Sequence, residues 1–361
     1  MSVKRVLLFT PKYPPYQGGA PTYYSNLVQE LERTEITVVT QAHPNKPLRE
    51  NKEGTSIYRT VYRPHWGGKM MGTLVGVFSL FLTIIAVYCI NKQDTIIAHA
   101  SSISTFAASV TSEVTRTPII YDCRDLSIRE CLVKIGYDRE YISCSPSVDQ
   151  MLISFGVKDE NIKRVEIVNP EYTSRFEREP HITNNESGEY YRCIYVGALE
   201  PHKNVHSLVK ALQLVPSGEI KLDIVGNGSE RERLQDLVER RDLTDTVDFH
   251  GELDHRTVLK MIRDSNLLIH PSKRETGPRT VQEAQQIGTP VIATPVGKTP
   301  ELISHMKNGL LTRDDPENIA ENINYALNNQ REMREMAIEG QKSFSPAEWD
   351  KTVKTINKLV N

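Results

Sequence analysis

The sequence predicts an α/β protein built as two Rossmann-like domains in series, and three features predict it. Short β-rich apolar runs alternate with amphipathic segments, the alternation restarts near residue 190, and a polar linker over 177–189 with Asn184, Asn185 and Gly188 separates the two series. At 361 residues the chain exceeds one average domain, so two cores are expected.

The first series opens with Val3-Lys4-Arg5-Val6-Leu7-Leu8-Phe9-Thr10, too short an apolar run for a signal peptide and followed by Pro11 and Pro14-Pro15, so it reads as a buried strand. A Pro/Gly-rich loop leads to Gly18-Gly19, then an amphipathic stretch over 21–31 carries apolar Leu27, Val28 and Leu31, and a strand follows at 36–40. Strand, loop, helix, strand is the repeating unit of a parallel sheet with covering helices. Further short runs lie at 95–98, 118–121 and 141–144. The second series has runs at 191–196, 221–225, 246–249, 267–270 and 290–293, with helical spacing over 208–214, 230–240 and 281–287. The expected division is 1–170 and 171–344, with a terminal helix over 345–361 crossing back to the first domain.

Formal net charge is −2, from 44 basic and 46 acidic residues, which excludes a global field for nucleic acid and makes any anion site local. The cysteines (Cys89, Cys123, Cys131, Cys144, Cys193) are odd in number and lack a CxxC pair, against a disulfide framework or a zinc site, and the cytoplasm is the expected compartment. Residues 70–90 carry no charge over a length that could span a bilayer. A span would separate strands that the alternation makes neighbours, which leaves a core helix or a helix lying in the membrane interface at the inner face of the cell membrane.

The most informative stretch runs Leu267-Leu268-Ile269-His270-Pro271-Ser272-Lys273-Arg274-Glu275-Thr276-Gly277-Pro278-Arg279-Thr280-Val281-Gln282-Glu283-Ala284. It reads as strand, loop, and a helix beginning near Arg279 or Thr280, so backbone N–H groups face outward at the strand's C-terminal end and make an anion site. Glu275 in the loop and Glu283 on the first helical turns can share that crevice, and carboxylates suit sugar and ribose hydroxyls. Taken alone, such a pair is better read as Glu275 capping the helix and Glu283 on a solvated face.

The stretch resembles the E-x7-E signature of the glycosyltransferase family 4 group of GT-B enzymes, in the variant whose loop reads Gly-Pro-Arg. The resemblance extends over residues 3–360. Tyr195-Val196-Gly197-Ala198-Leu199-Glu200-Pro201-His202-Lys203-Asn204 is similar to the family's strand and loop in which a glycine turn and a lysine face the donor diphosphate. It implies Gly197 and Lys203 in that role. Ala198 departs from the family's usual arginine, for which Arg279 or Arg274 could substitute. Leu222 to Gly228, Val247 to Gly251, and Pro290 through Gly297, Glu301 and Asn308-Gly309 follow in the family's order, with Lys298 where a second glycine is common, which puts the close backbone approach there in doubt.

In the first half the loop ending Gly18-Gly19 resembles the family's glycine loop near donor phosphates and acceptor. His99, at the end of an inferred strand, reads either as a crevice residue on the acceptor side or as a buried, satisfied histidine. Tyr121-Asp122-Cys123-Arg124-Asp125-Leu126 is similar to an Arg-Asp-Leu sub-pattern of the family, where many relatives have histidine-aspartate. An inward Arg124 would position an anionic group or the reacting sugar, with Asp125 beside it. A surface pair would be worth little. Ile167-Val168-Asn169-Pro170 resembles the interdomain hinge, and Phe344 to Trp349 the closing segment.

The resemblance implies a GT-B fold with two domains facing a central cleft and a retaining, metal-independent glycosyltransferase. The expected donor is a UDP- or GDP-sugar with no cofactor, and the apolar run 70–90 makes a glycan or lipid-linked glycan of the cell envelope the expected acceptor. Glu275, Lys203 and Arg124 would be catalytic, and the donor would also meet Gly18, Gly19, Gly197, Gly277, Pro278, Arg279, Thr280 and Glu283. Rival readings are a sugar-nucleotide epimerase, which would convert donor without acceptor, and an inactive sugar-nucleotide binder. A dinucleotide oxidoreductase is disfavoured because no G-x-G-x-x-G follows the opening strand.

Overall fold

The computed structural model describes residues 3–16, 19–60, 92–100, 102–124, 126, 128–165, 190–216, 218–343 and 347–361, the side chains of 102–104, 343, 347 and 348 excepted. The uncharged run 70–90, the linker 177–189 and the hinge 167–170 lie outside them, as do Gly18 and Asp125. The chain divides into two compact units, Met1–Asn169 with Ala347–Asn361, and Pro170–Pro346.

The first unit is an eight-stranded sheet in the order β3-β4-β2-β1-β5-β6-β7-β8. Its strands are β1 (Lys4–Phe9), β2 (Thr34–Gln41), β3 (Arg49–Lys52), β4 (Thr55–Thr60), β5 (Thr95–His99), β6 (Ile119–Cys123), β7 (Arg139–Ser143) and β8 (Ile162–Arg164). All pair in parallel except β3, antiparallel to β4. β5 and β6 are buried at every position, as central parallel strands covered on both faces must be. The β3–β4 hairpin has no apolar alternation to betray it. Its two-residue turn puts Glu53 and Gly54 at φ 51° and 81°, the left-handed pair a tight hairpin requires. Among the described residues the unit's helices are α1 (Gly19–Glu30), α2 (Ser102–Thr115), α3 (Glu130–Val133), α4 (Pro146–Ser154) and the terminal α12 (Ala347–Val360). Trp349 of α12 packs edge-on against Tyr23 of α1, ring centroids 5.6 Å apart.

The second unit is a six-stranded parallel sheet in the order β11-β10-β9-β12-β13-β14. Its strands are β9 (Tyr191–Val196), β10 (Ile220–Val225), β11 (Val247–Gly251), β12 (Leu267–His270), β13 (Val291–Ala293) and β14 (Leu310–Leu311). This is the 3-2-1-4-5-6 winding of a doubly wound sheet, whose direction reverses between β9 and β12 and opens a crevice at their C-terminal ends. Helices α5 (Val205–Ala211), α6 (Arg231–Arg240), α7 (His255–Arg263), α8 (Arg279–Ile287), α9 (Thr299–Leu302), α10 (Pro316–Asn328) and α11 (Gln330–Ser343) cover it. Two apolar clusters lie on its faces. One gathers Leu208, Leu222, Ile269 and Ile323, the other Ile194, Ile262, Leu268 and Ala284. Leu268 and Ile269 are consecutive in β12 and fall in different clusters, as strand alternation demands.

Candidate functional site

The loops after β9 and β12 leave the same sheet edge side by side, because Leu267 and Leu268 pair with Cys193 and Ile194. Asn204 ties them together. It is fully buried at φ 58°, and its amide donates to the carbonyls of Pro271 (3.1 Å) and Asp314 (2.8 Å) while its oxygen accepts from Ser207 Oγ. Lys273 N donates to His202 O at 2.8 Å, a second tie between the loops. Between these ties stands Lys203, whose Nζ lies 2.5 Å from Glu275 Oε2. Both side chains are mostly buried, 17% and 12% exposed, so the pair is screened far less than a surface salt bridge.

His270, the last residue of β12, is the hub of this cluster. Its Nε2 lies 3.2 Å from both Glu275 Oε2 and Ser272 Oγ, and its Nδ1 lies 3.4 Å from Thr280 Oγ1. Burial alone would raise the Glu275 carboxyl, but the hydrogen bond and charge of His270, followed by those of Lys203, outweigh it and hold the group at about 2. Glu275 is thus an ionised acceptor. Lys203 and His270 both engage Oε2, which leaves Oε1 to accept from a ligand.

The backbone around Glu275 is held by the loop after β13. Gly297 sits at φ 59°, and a Cβ there would lie 2.2 Å from Glu275 O. Lys298 N donates to Thr276 O at 3.1 Å. The close backbone approach that Lys298 put in doubt is therefore made, with Gly297 supplying the space. A similar approach joins the loops after β9 and β10, where a Cβ on Gly226 would lie 1.9 Å from Gly197 O.

α8 begins at Arg279 with Pro278 as N-cap, no side-chain cap and no acidic residue in its first turn, so its N-terminal amides and dipole are open to an anion. Gly277 and Pro278 lead into it, and Thr280 is its second residue. Glu283, one turn further, is buried. His255 Nε2 lies 3.2 Å and Arg279 Nη2 3.7 Å from its Oε1. Arg279, a candidate for replacing the arginine absent at Ala198, is thus drawn toward Glu283. Arg274 is exposed.

In the first unit, Asp122 Oδ2 accepts from Tyr24 Oη (2.8 Å) and Arg124 Nε (2.9 Å). Tyr24 has one hydroxyl hydrogen and gives it to Asp122, so His99 Nδ1, 2.9 Å away, is the donor to Tyr24 and carries a hydrogen. His99 is a bonded, buried histidine at the end of β5. The Arg124 guanidinium lies 3.3 Å from the centroid of the Tyr23 ring. Its partner on the described residues is Asp122, two positions back, where the sequence had drawn attention to Asp125. Gly19 opens α1.

The structure brings Lys203, Glu275 and Thr280 together through His270, and Arg279 with Glu283 through one helical turn. His270, Asn204 and the Tyr24–Asp122 pair had no site role in the sequence reading, and Gly297 entered only as part of the family's ordered pattern. His270 was within reach of the rule applied to His99, that crevice residues collect at strand C-termini. Asn204 gave no such signal, since a left-handed N-cap is a property of folded backbone.

Residues 177–344 match the family described as Glycosyl transferases group 1. An uncharacterized glycosyltransferase of Methanocaldococcus jannaschii is 24% identical, covering 98% of this chain and 97% of its own. Among solved structures, sucrose-phosphate synthase from Thermosynechococcus elongatus superposes with a TM-score of 0.82 at 19% identity, covering 99% of this chain and 98% of its own. Anabaena HepE in complex with UDP-glucose does so with a TM-score of 0.75 at 18% identity, covering 99% and 98%. The fold is GT-B. With the family match and the M. jannaschii relative, it supports glycosyl transfer as the activity. The cluster of Lys203, His270, Glu275, Thr280 and Glu283 lies within the family-matched residues. No helix among the described residues is long and apolar enough to cross a membrane.

Proposed function

We propose that the chain is a family 4 glycosyltransferase that moves a sugar from a UDP- or GDP-sugar to a glycan or lipid-linked glycan of the cell envelope, with retention of anomeric configuration and without a metal. The observation that carries this is the buried Lys203–Glu275 pair at the switch point of the second sheet, beside the uncapped N-terminus of α8. In this reading Glu275 Oε1 orients the sugar by accepting from its hydroxyls, Glu283 does the same for the ribose, and Lys203, Thr280 and the α8 amides hold the diphosphate. Gly197, Gly277 and Pro278 let backbone approach it, and Arg279 and the Gly18-Gly19 loop add further contacts. Arg124, Asp125 and His99 serve the acceptor side.

As the bond from the anomeric carbon to the diphosphate oxygen breaks, negative charge grows on that oxygen, and fixed donors stabilise it more than the ground state. The acceptor oxygen bonds to the same face of the carbon, and its hydrogen passes to the departing phosphate. Glu275 needs only to be ionised for its part, as its low pKa provides. The complex of HepE with UDP-glucose supports a sugar nucleotide as donor, and the uncharged run 70–90 supports an acceptor at a membrane surface.

A thermal-shift panel of nucleoside diphosphates and sugar nucleotides tests the donor assignment, since a ligand at about 100 times its Kd stabilises by about 2.7 kcal/mol. At least one UDP- or GDP-compound should raise Tm in the wild type. A panel without effect, in a folded protein, overturns the reading.

A further inference from the structure

The His270 imidazole has both nitrogens engaged, and its partners differ in what they can do. Glu275 is an ionised carboxylate and only accepts, so the Nε2 that lies 3.2 Å from it carries a hydrogen. Ser272 Oγ, also 3.2 Å from Nε2, can accept from the same N–H. Nδ1 is then the variable atom. In a neutral ring it is an acceptor, and the Thr280 hydroxyl 3.4 Å away spends its one hydrogen on it. In a cationic ring Nδ1–H donates to Thr280 Oγ1, and the hydroxyl hydrogen is released to point elsewhere. The ring's side chain is only 4% exposed, so water does not readily replace these partners.

Thr280 is the second residue of α8, at the helix end that has no side-chain cap and no acidic residue in its first turn. A released hydroxyl there adds a donor to amides already open to an anion. The charged groups facing His270 are Glu275, on its own loop, and Lys203, from the loop after β9. α8 contributes the neutral Thr280.

We propose that His270 is a proton-linked positioning residue: protonation of its Nδ1 turns the Thr280 hydroxyl into a donor for the diphosphate of a sugar nucleotide. Binding and protonation therefore favour each other, as linkage requires of coupled equilibria. The inference rests on the reading of the α8 N-terminus as the diphosphate site.

The test is calorimetric titration of the full chain with UDP-glucose and GDP-mannose, whose phosphates are diesters and do not titrate near neutrality. It is run at several pH values in two buffers of different ionisation enthalpy. The expected result is uptake of up to one proton per ligand bound, with Kd weakening by up to about tenfold per pH unit as the pH rises. Thr280→Val should bind more weakly at low pH and lose the uptake, and Thr280→Ser should restore both. Binding without uptake, or uptake that persists in folded Thr280→Val, overturns the inference and leaves the sugar-nucleotide reading standing. Failure of the wild type to bind either probe at any pH overturns both. Nitrogen NMR of the histidine rings gives a readout without ligand. The neutral form of His270 should be protonated at Nε2, and a neutral ring protonated at Nδ1 overturns the inference.

Discussion

Lys203 Nζ and Glu275 Oε2 meet at 2.5 Å although the two residues are 72 positions apart in the chain. The winding of the sheet brings them together: β9 and β12 are neighbours, run in parallel, and release their following loops over one edge. Asn204 then fixes the two loops to each other through its buried amide. The pair is assembled by strand pairing and by the Asn204 side-chain amide, contacts that neither charged side chain makes itself.

Replacing Lys203 by Met keeps the stem and removes the charge. The variant should lose about 1.5–3 kcal/mol of stability, the range for a hydrogen bond to a charged group, because Glu275 keeps His270 but loses its second partner. Urea denaturation measures that loss. Calorimetry with UDP and GDP should show at least a tenfold weaker Kd for the preferred nucleotide, and unchanged binding would remove Lys203 from the diphosphate site.

Glu275→Gln should retain the fold and reduce transfer by about 100-fold or more, because an amide neither accepts from the sugar with a full charge nor balances Lys203. Turnover and circular dichroism on the same preparation give the answer. A folded variant with near-normal kcat would falsify the role given to this carboxylate.

The same carboxylate predicts a pH dependence of stability. Burial would raise its pKa, and the opposing bonds and charges of His270 and then Lys203 bring it from an ordinary 4.5 to about 2. A depressed pKa means the folded state binds the proton less well than the unfolded one. The contribution is therefore full above about pH 4.5 and disappears as pH falls from there toward 2, with a size on the order of 3 kcal/mol. Urea unfolding at pH 6, 4 and 3 should show this loss in the wild type and a smaller one in Glu275→Gln. Equal losses in both would show that other groups govern acid stability.

Gly297→Ala should be more damaging than its one methyl suggests. The residue is at φ 59°, and the new Cβ would lie 2.2 Å from Glu275 O, so the loop bearing the carboxylate must move. Gly156→Ala is the control, at φ 82° with nothing within 4 Å, and should cost only the left-handed penalty of about 1–2 kcal/mol. Thermal denaturation should rank Gly297→Ala as the less stable, and its kcat should fall where that of Gly156→Ala does not.

Asp122→Ala removes the buried carboxylate that accepts from both Tyr24 and Arg124 and should destabilise the first unit by about 1–3 kcal/mol. Arg124→Lys keeps a charge but cannot reproduce the guanidinium's close approach to the Tyr23 ring. Hydrogen exchange should locate the loss of protection in the first unit in both variants.

The sequence by itself determined the alternation of strands and helices, the restart near residue 190, and the presence of Glu275, Thr280 and Glu283 beside a helix start, while Lys203 stood out only through the family resemblance. These are legible because burial of parallel strands demands continuous apolar runs, and because an open helix N-terminus follows from local residues. The edge hairpin β3–β4 was not legible, since polar Arg49–Lys52 pairs through its backbone, and neither was two-residue β14. Tertiary structure alone decided which site residues touch. It drew Arg124 to Asp122, gave Glu275 a second partner in His270, and made Gly297 the clearance for the Glu275 loop. Such contacts depend on which loops leave the same sheet edge and how closely their backbones approach, and spacing along one chain does not encode those distances.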